Sequence, residues 1–445
     1  MKVLLVSHRY PPDGLVGVER VTQTHAAELV KAGHTVSVVT RRPGPDPEQP
    51  RVLRERQQNG VTIHRLIGGR NAWNLFPPQS ERLERLFANV VLETAPDVVH
   101  FLHLLDHSPR LMDIAHRLDA AVVLALHDFY CACPQIILKQ TSGNVCAGPD
   151  GGRECGRTCF AHEGADAAPR WGMRAAYFRR LLGVADRLMT PSAYVTSFFE
   201  KFGAPAARLR TIPNGINIDP AEVPPQPDPD PNGAVLNLAF LGSVVAHKGV
   251  HLIVEALRLA RLSPVNLNLF GPVANPEYRS ELEQRAATIP GLSLRVHGSY
   301  ATNELSALLA GIDCVVMPSQ WPETFALVAR EAMVRGVPVL ASRLGALQDA
   351  IVEGENGFTF AHDNPAELAG QLVRLVREPG LLQRLRDTAR KTHVVTLSEH
   401  TEAVVAIYGE AIAEFQNARN TSCADTEELN FLHTSLADFG FLPAN

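Results

Sequence analysis

Residues 314–331 read CVVMPSQWPETFALVARE and carry two carboxylates, Glu323 and Glu331, with seven residues between them. The apolar run Cys314 to Met317 reads as a strand. Pro318 and Ser319 break it, Trp321 and Pro322 follow, and a helix restarts near Ala326. A strand that feeds a helix presents backbone N–H groups with no intrahelical partner, and the helix dipole favours an anion there. Carboxylates beside a phosphate would repel it unless they point at hydroxyls. An ionised carboxylate is a pure acceptor and can hold a vicinal diol. A ligand with both a phosphate and sugar hydroxyls suits the pair, and a nucleotide sugar is such a molecule.

Other residues fit the same ligand. Lys248 follows the apolar run FLGS, where an ammonium can meet the charge that grows on a departing diphosphate. Gly271, after NLNLF, would let backbone approach a nucleotide closely. The loop HRYPPDGLVG lacks G-x-G-x-x-G, so a dinucleotide is not indicated, but Gly14 and Gly17 leave room for a phosphate or sugar. His127 and Asp128 lie just past a strand's C-terminal end, the edge where ligands collect in open α/β sheets. His100 and His103 are three apart, so in a strand only one would face that edge.

The stretch around Glu323 and Glu331 resembles the E-x7-E motif of retaining glycosyltransferases. SHRYPPDGLVGVER, TIPNGIN at 211–217 and FLGSVVAHKGV at 240–250 are similar to segments of glycosyltransferase family 4, in the same order. The resemblance covers most of residues 1–415. It implies the GT-B architecture: two Rossmann-like, doubly wound α/β domains facing across a cleft. It implies a nucleotide-diphosphate sugar donor and transfer with retention to a hydroxyl of a glycan, a lipid-linked sugar or a natural product. Peripheral contact with a membrane would go with a lipid-linked acceptor. His127, Lys248 and Glu323 are the implied catalytic residues. The implied donor site adds Gly17, Ser243, Gly271, Arg295, Val296, Phe325, Ala326, Leu327, Val328 and Glu331. Within it His127 lines the sugar pocket and Arg295 and Val296 hold the base through backbone. The amides from Phe325 to Val328 cradle sugar and phosphate oxygens, and Glu331 holds the ribose. Ser243 stands where the family often has Arg, so leaving-group stabilisation rests more on Lys248. No metal is required for the chemistry. A nucleotide-sugar epimerase and a non-catalytic sugar-binding protein share the architecture. Intact Lys248 and Glu331 argue against the latter.

Residues 128–165 hold five cysteines among Gly and Pro, with few apolar side chains to build a core. Cys133, Cys146, Cys155 and Cys159 have the spacing C-x12-C-x8-C-x3-C and are candidate ligands of a structural zinc. Cys131 and His162 are substitutes within reach in sequence. Free or disulfide-capable thiols and an iron–sulfur cluster are the alternatives.

These residues need elements to hold them. KVLLVS, TVSVVT, 62–67, 98–102, 121–126 and DRLMTPS read as strands of a first domain. Helices are expected from Val18 to Ala32, Glu81 to Thr94 and Trp171 to Val184, with Ser192 capping another and 41–60 a surface loop. NLAFLGS, NLNLFG, LSLRVHG, CVVMPS and PVLASR repeat the pattern. The expected domains are 1–215, with a Cys-rich insertion at 128–165, and 216–398. A helix over 399–420, capped by Ser398, crosses back to the first domain, and 421–445 form a tail. The Pro-rich stretch 220–233 reads as a stiff linker. With 445 residues, 45% apolar and 20% charged, the chain is long enough for two cores. A net charge of −5 gives no support for nucleic-acid binding. The short apolar run in MKVLLVSHRY is no signal peptide, no run spans a membrane, and a cytoplasmic location with reduced thiols is expected.

Overall fold

The computed structural model describes residues 1–14, 17–44, 49–68, 80–148, 150–218, 223 and 235–419. The expected linker, apart from Val223, and the expected tail lie outside them. The chain divides into two units, Met1–Pro213 with Leu397–Asn445, and Asn214–Thr396.

The first unit is an eight-stranded sheet in the order β3-β4-β2-β1-β5-β6-β7-β8. Its strands are β1 (Lys2–Ser7), β2 (Thr35–Arg42), β3 (Arg51–Arg56), β4 (Thr62–Ile67), β5 (Val98–Phe101), β6 (Ala121–Ala125), β7 (Arg187–Thr190) and β8 (Leu209–Thr211). The apolar runs are parallel strands because they must be buried on both faces, as β1 and β6 are. β3 is the exception. It falls in the stretch expected to be a loop, pairs antiparallel with β4, and closes the edge. Its sequence RVLRER exposes charged side chains, which hides the strand from a reading based on apolar runs and discourages further pairing.

Helices α1 (Val18–Lys31), α2 (Glu81–Thr94), α3 (Arg110–Arg117), α4 (Arg153–Arg157), α5 (Ala167–Leu182) and α6 (Ala193–Phe202) follow in this unit. Gly33 follows the α1 cap with φ 85°, a left-handed geometry that favours glycine at a helix end. The Ser192 hydroxyl accepts from the Val195 N–H at 3.3 Å and caps α6.

The second unit is a six-stranded parallel sheet in the order β11-β10-β9-β12-β13-β14. Its elements in chain order are β9 (Leu236–Leu241), α7 (Val250–Ala260), β10 (Val265–Phe270), α8 (Pro276–Ala287), β11 (Leu292–Gly298), α9 (Leu305–Leu308), β12 (Cys314–Met317), α10 (Leu327–Met333), β13 (Val339–Ser342), α11 (Leu347–Ala350), β14 (Gly357–Phe360), α12 (Pro365–Arg377) and α13 (Leu381–Ala389). Two apolar clusters line the sheet, with Leu238, Leu267 and Val316 in one and Ala239, Val315 and Val339 in the other.

The closing helix α14 (Leu397–Arg419) belongs to the first unit. Val404, Ile407, Tyr408, Ala411 and Phe415 join the core under β1, β2 and β6. The helix starts one residue before Ser398, so Ser398 is not its cap. The Ser398 hydroxyl instead donates to Glu402 at 3.3 Å, one turn on.

In both sheets the strand order turns back at a central pair, β1/β5 in the first unit and β9/β12 in the second. Crevices for ligands form at such switch points, past the carboxyl ends of the strands. Among the described residues no helix is long and apolar enough to cross a membrane.

Candidate functional site

The switch point of the second unit brings Lys248 and Glu323 together. Lys248 ends a short 3-10 turn, Ala246–Lys248, between β9 and α7. Glu323 lies in the loop between β12 and α10, and 75 residues separate the two in sequence. The Lys248 ammonium donates to Glu323 Oε1 at 2.7 Å, and the Ser319 hydroxyl donates to the same oxygen at 2.6 Å. No hydrogen bond reaches Glu323 Oε2 among the described residues. The Lys248 nitrogen also sits 5.0 Å above the Trp321 ring. The two loops touch because residue 249 is glycine. Its φ is +76°, and a Cβ there would lie 1.9 Å from the Pro318 carbonyl oxygen. From the other side the Ala346 N–H donates to the Glu323 carbonyl at 2.7 Å. A carboxylate held through one oxygen with the other uncommitted, and an ammonium with donors to spare, can bind a hydroxyl and an anion side by side.

The rest of the expected donor set distributes along this edge. Phe325 and Ala326 are buried, and Ala326 turns the chain into α10 with φ 58°. A left-handed alanine is uncommon and is held here by its surroundings. Arg330 donates to the Phe325 carbonyl, and its guanidinium lies 4.2 Å over the Phe325 ring. Burial pulls Arg330 down to about 10, against the pull of Asp349. Leu327 and Val328 open α10, a helix of only 7 residues with no side-chain cap. Glu331 is 8% exposed on α10, and Arg335, whose guanidinium donates to the Glu331 carbonyl at 2.8 Å, faces its charge.

Gly271, Arg295, Val296 and Ser243 are the remaining expected donor residues of this unit. The space beside Gly271 is filled by its own fold. With φ +146°, a Cβ there would meet the Gly242 carbonyl oxygen at 1.9 Å, so the glycine serves the packing of two loops. Arg295 is exposed and stands opposite Asn268 within the edge strand β11, and Val296 packs against the apolar core. The strand end is marked by His297, stacked on Phe270 at 4.5 Å. Ser243 is half-buried past β9, and its carbonyl accepts from the Val245 N–H at 3.0 Å.

The first unit gathers imidazoles and carboxylates at its own switch point. His8 follows β1 and His103 follows β5, with rings 4.8 Å apart. His103 Nδ1 accepts from the Leu105 N–H at 2.9 Å, so Nε2 carries the proton and donates to Asp128 Oδ2 at 2.8 Å. Burial would depress the His103 imidazole, but Asp128, Glu19 and Asp106 outweigh it and raise its pKa. Burial likewise opposes the Asp128 carboxylate, yet His103 and the Tyr130 N–H lower its pKa. Glu19 pairs with His8 at 3.1 Å and Asp106 with Arg9 at 3.2 Å. Arg41 is buried beside them, and its Nε and Nη1 make no hydrogen bond. Gly17 caps α1 with φ 61° and open space around its α-carbon.

His127 follows β6. Burial pulls its pKa down to about 4, so it is neutral near neutrality, and its buried Nε2 has no hydrogen-bond partner. A buried polar atom of this kind is what a ligand hydroxyl would satisfy. His100 stays within the strand and shares a hydrogen bond of 2.8 Å with Tyr408. His103 lies past the strand end, so strand alternation does not separate the two histidines; their partners do. The His103–Asp128 pair and Arg41 were missed in the sequence. Asp128, beside His127 at a strand end, and His103, three past His100, each gave a signal, but nothing in the sequence paired them.

The four candidate metal ligands also converge. Cys133, Cys146, Cys155 and Cys159 line one small cavity; Cys131 and His162 do not. Among the described residues, however, no three Cys, His, Asp or Glu side chains stand in metal-ligand geometry.

Comparison with known proteins places the two units separately. Residues 16–220 match the family described as "Glycosyltransferase Family 4", and residues 230–392 match "Glycosyl transferases group 1". A glycogen synthase of Mycobacterium tuberculosis is 28% identical over 408 residues, covering 88% of this chain and 90% of that protein. An MMP alpha-(1->4)-mannosyltransferase of Mycolicibacterium hassiacum is 32% identical over 56% of this chain and 62% of its own. The structure of Anabaena Alr3699/HepE in complex with UDP and glucose superposes with a TM-score of 0.62 at 17% identity, covering 92% of this chain and 99% of that one.

Proposed function

We propose that this chain, which belongs to the family 4 glycosyltransferases of GT-B fold, moves a sugar with retention from a nucleoside diphosphate sugar to an acceptor hydroxyl. The observation that carries the reading is the Lys248–Glu323 pair at the switch point of the second unit. Glu323 Oε2 accepts from hydroxyls of the donor sugar. Lys248 stays beside the diphosphate, where negative charge accumulates as the anomeric carbon–oxygen bond breaks. Glu331 accepts from the ribose hydroxyls. The acceptor oxygen bonds to the anomeric carbon, and its proton passes to the leaving phosphate. The protein supplies orientation and fixed charge. Lys248 takes the electrostatic part a metal plays elsewhere, so transfer proceeds without added divalent metal.

The first unit binds the acceptor in this reading. His127 Nε2 and the His103–Asp128 pair are polar groups suited to a hydroxyl-rich molecule. A glycan, a lipid-linked sugar and a natural-product aglycone all meet that description.

Two measurements test the proposal. A thermal-shift panel of nucleotides and nucleotide sugars finds the donor, since binding at a hundredfold excess over Kd stabilises by ~2.7 kcal/mol. Proton NMR of the anomeric signal during turnover then shows the donor's configuration kept in the product. An inverted product would remove the mechanism, and a panel with no stabilising nucleotide would remove the donor class.

A further inference from the structure

Cysteines of the segment after Asp128 come together although 26 residues separate the first from the last. Cys133 is tied to Phe129, whose carbonyl accepts its N–H at 2.6 Å. Cys146 is reached by a tight hairpin: Lys139 and Val145 pair antiparallel, and the Cys146 N–H donates to the Leu138 carbonyl at 2.8 Å. Cys155 lies in α4, and Cys159 follows two residues past its end, in the turn where the Phe160 N–H donates to the Cys155 carbonyl at 2.9 Å. The turn after Phe129, the end of the hairpin, α4 and the turn that follows it thus deliver one thiol each, and all four line a cavity of about 10 Å³. That is the space of about one small atom or water.

The surroundings suit an anionic centre. Arg174 is buried beside the cluster, donates to the Tyr130 carbonyl at 2.6 Å, and feels the thiols of Cys131, Cys133 and Cys155. Lys139 lines the same cavity. Against these two cations stands Glu154, which bears on Cys146. A zinc ion with four thiolates carries two net negative charges, which a buried guanidinium and an ammonium offset. The local core is small: Cys155, Phe160, Ala167 and Trp171 are its buried members, with Cys159 packed against them. Phe129, Tyr130, Ala132 and Leu138 anchor the start of the segment, whereas no apolar side chain described between 139 and 154 is buried, and a coordinate staple suits that stretch.

We propose that Cys133, Cys146, Cys155 and Cys159 bind one structural zinc ion that fixes this segment directly behind His127 and Asp128. Tetrahedral zinc–sulfur bonds of about 2.3 Å bring the sulfurs to about 3.8 Å from one another. Neutral thiols gain little from that spacing, so the ligand geometry that the described residues lack is one the ion itself imposes. Cys131, buried against Asp128 and Arg174, stays outside the set, and so does His162. The assignment stands independently of the donor chemistry.

Full-length protein purified without chelator is analysed for metals. The expected result is close to one zinc per chain and no iron, kept through gel filtration. Cys133→Ser and Cys155→Ser lose it, and Cys131→Ser and Cys314→Ala retain it. Should the serine variants fail to fold, two measurements on the unmutated chain decide. Protein produced with cobalt(II) shows thiolate-to-metal charge transfer and the visible bands of a tetrahedral site. An organomercurial releases the zinc as four thiols are consumed. Metal-free protein with four alkylatable thiols, a disulfide by mass, bound iron, or zinc kept in both Cys133→Ser and Cys155→Ser would each overturn the proposal.

Discussion

Both units build a sheet with a switch point and both bury arginines and carboxylates, yet only the first also buries histidines among the described residues. The first buries imidazoles: His25, His64, His100, His103, His107 and His400 are all shielded. His25 and His100 share the Tyr408 hydroxyl at 2.9 and 2.8 Å, with His400 packed on His25 at 5.7 Å. The second unit buries no histidine among its described residues. Its shielded charges are Asp313, Glu323 and Glu331 with Arg335 and Arg386. Permanent cations answer permanent anions there, as Lys248 answers Glu323 at 2.7 Å and Arg386 answers Asp313 at 2.8 Å. Proton uptake below about pH 6.5 therefore works against the first unit through histidines of a kind that the second does not bury among its described residues. A site for a diphosphate needs a charge that does not titrate, whereas a site for hydroxyls is served by neutral groups that donate and accept.

The largest effect expected from breaking that division is on Lys248. Lys248→Ala removes the fixed cation and should lower kcat by about 10²–10³-fold, as loss of one transition-state donor does, with a smaller change in donor affinity. A rise in KM at unchanged kcat would place the residue in ground-state binding instead. Glu331→Ala should weaken the donor by about 1.5–3 kcal/mol through a lost charge-assisted contact. Calorimetry with the nucleotide alone checks it, and unchanged affinity would release Glu331 from the ribose.

Acid should separate the units. Burial pulls His100 from 6.5 down to about 3 and His127 from 6.5 down to about 4, and lowers His25 as well. Each is neutral when folded and binds a proton more readily when unfolded, so its stabilising share is lost as pH falls below about 6.5. By pH 5 the loss for His100 alone is about 2 kcal/mol. The His103–Asp128 pair has the opposite sense on its imidazole side. His103 is raised, so that contribution is present below the unfolded value and fades as pH rises through the folded one. Hydrogen exchange, corrected for intrinsic rates, should show β5, β6 and α14 losing protection before β9 and β12 as pH drops. Equal loss in both sheets would erase the contrast. The smallest effect belongs to Trp321, whose ring lies under Lys248 at 5.0 Å. Trp321→Leu should cost about 0.5–1 kcal/mol of cation–π attraction, seen as a few-fold change in kcat/KM.

Much of the scaffold was legible because burial on both faces leaves a plain mark. Runs such as KVLLVS and CVVM are too apolar to be anything but interior strands, and β1 and β12 occupy them. The edge strand β3 carries no such mark, since none of its residues is fully buried and both rows of its side chains meet solvent. At the site, Lys248 and Glu323 were legible by type and by their place after a strand. Gly271 was legible as a position that needs glycine, but not that a neighbouring carbonyl, Gly242's, is one reason for it.

The sequence by itself determined most of the element types, β3 excepted, the alternation that builds parallel sheets, and the presence of two carboxylates and a lysine beside strand ends and of four cysteines in one segment. Local chemistry suffices for these, since apolar period, caps and loop residues act within a few neighbours. Tertiary structure alone decided the partnerships. Glu323 meets Lys248 because β9 and β12 pair in the sheet and Gly249 lets their loops touch. His103 meets Asp128 because β5 pairs with β6, and His100 meets Tyr408 because the last helix returns to the first sheet. Such contacts depend on which strands neighbour one another, and strand order is fixed by the packing of the whole chain.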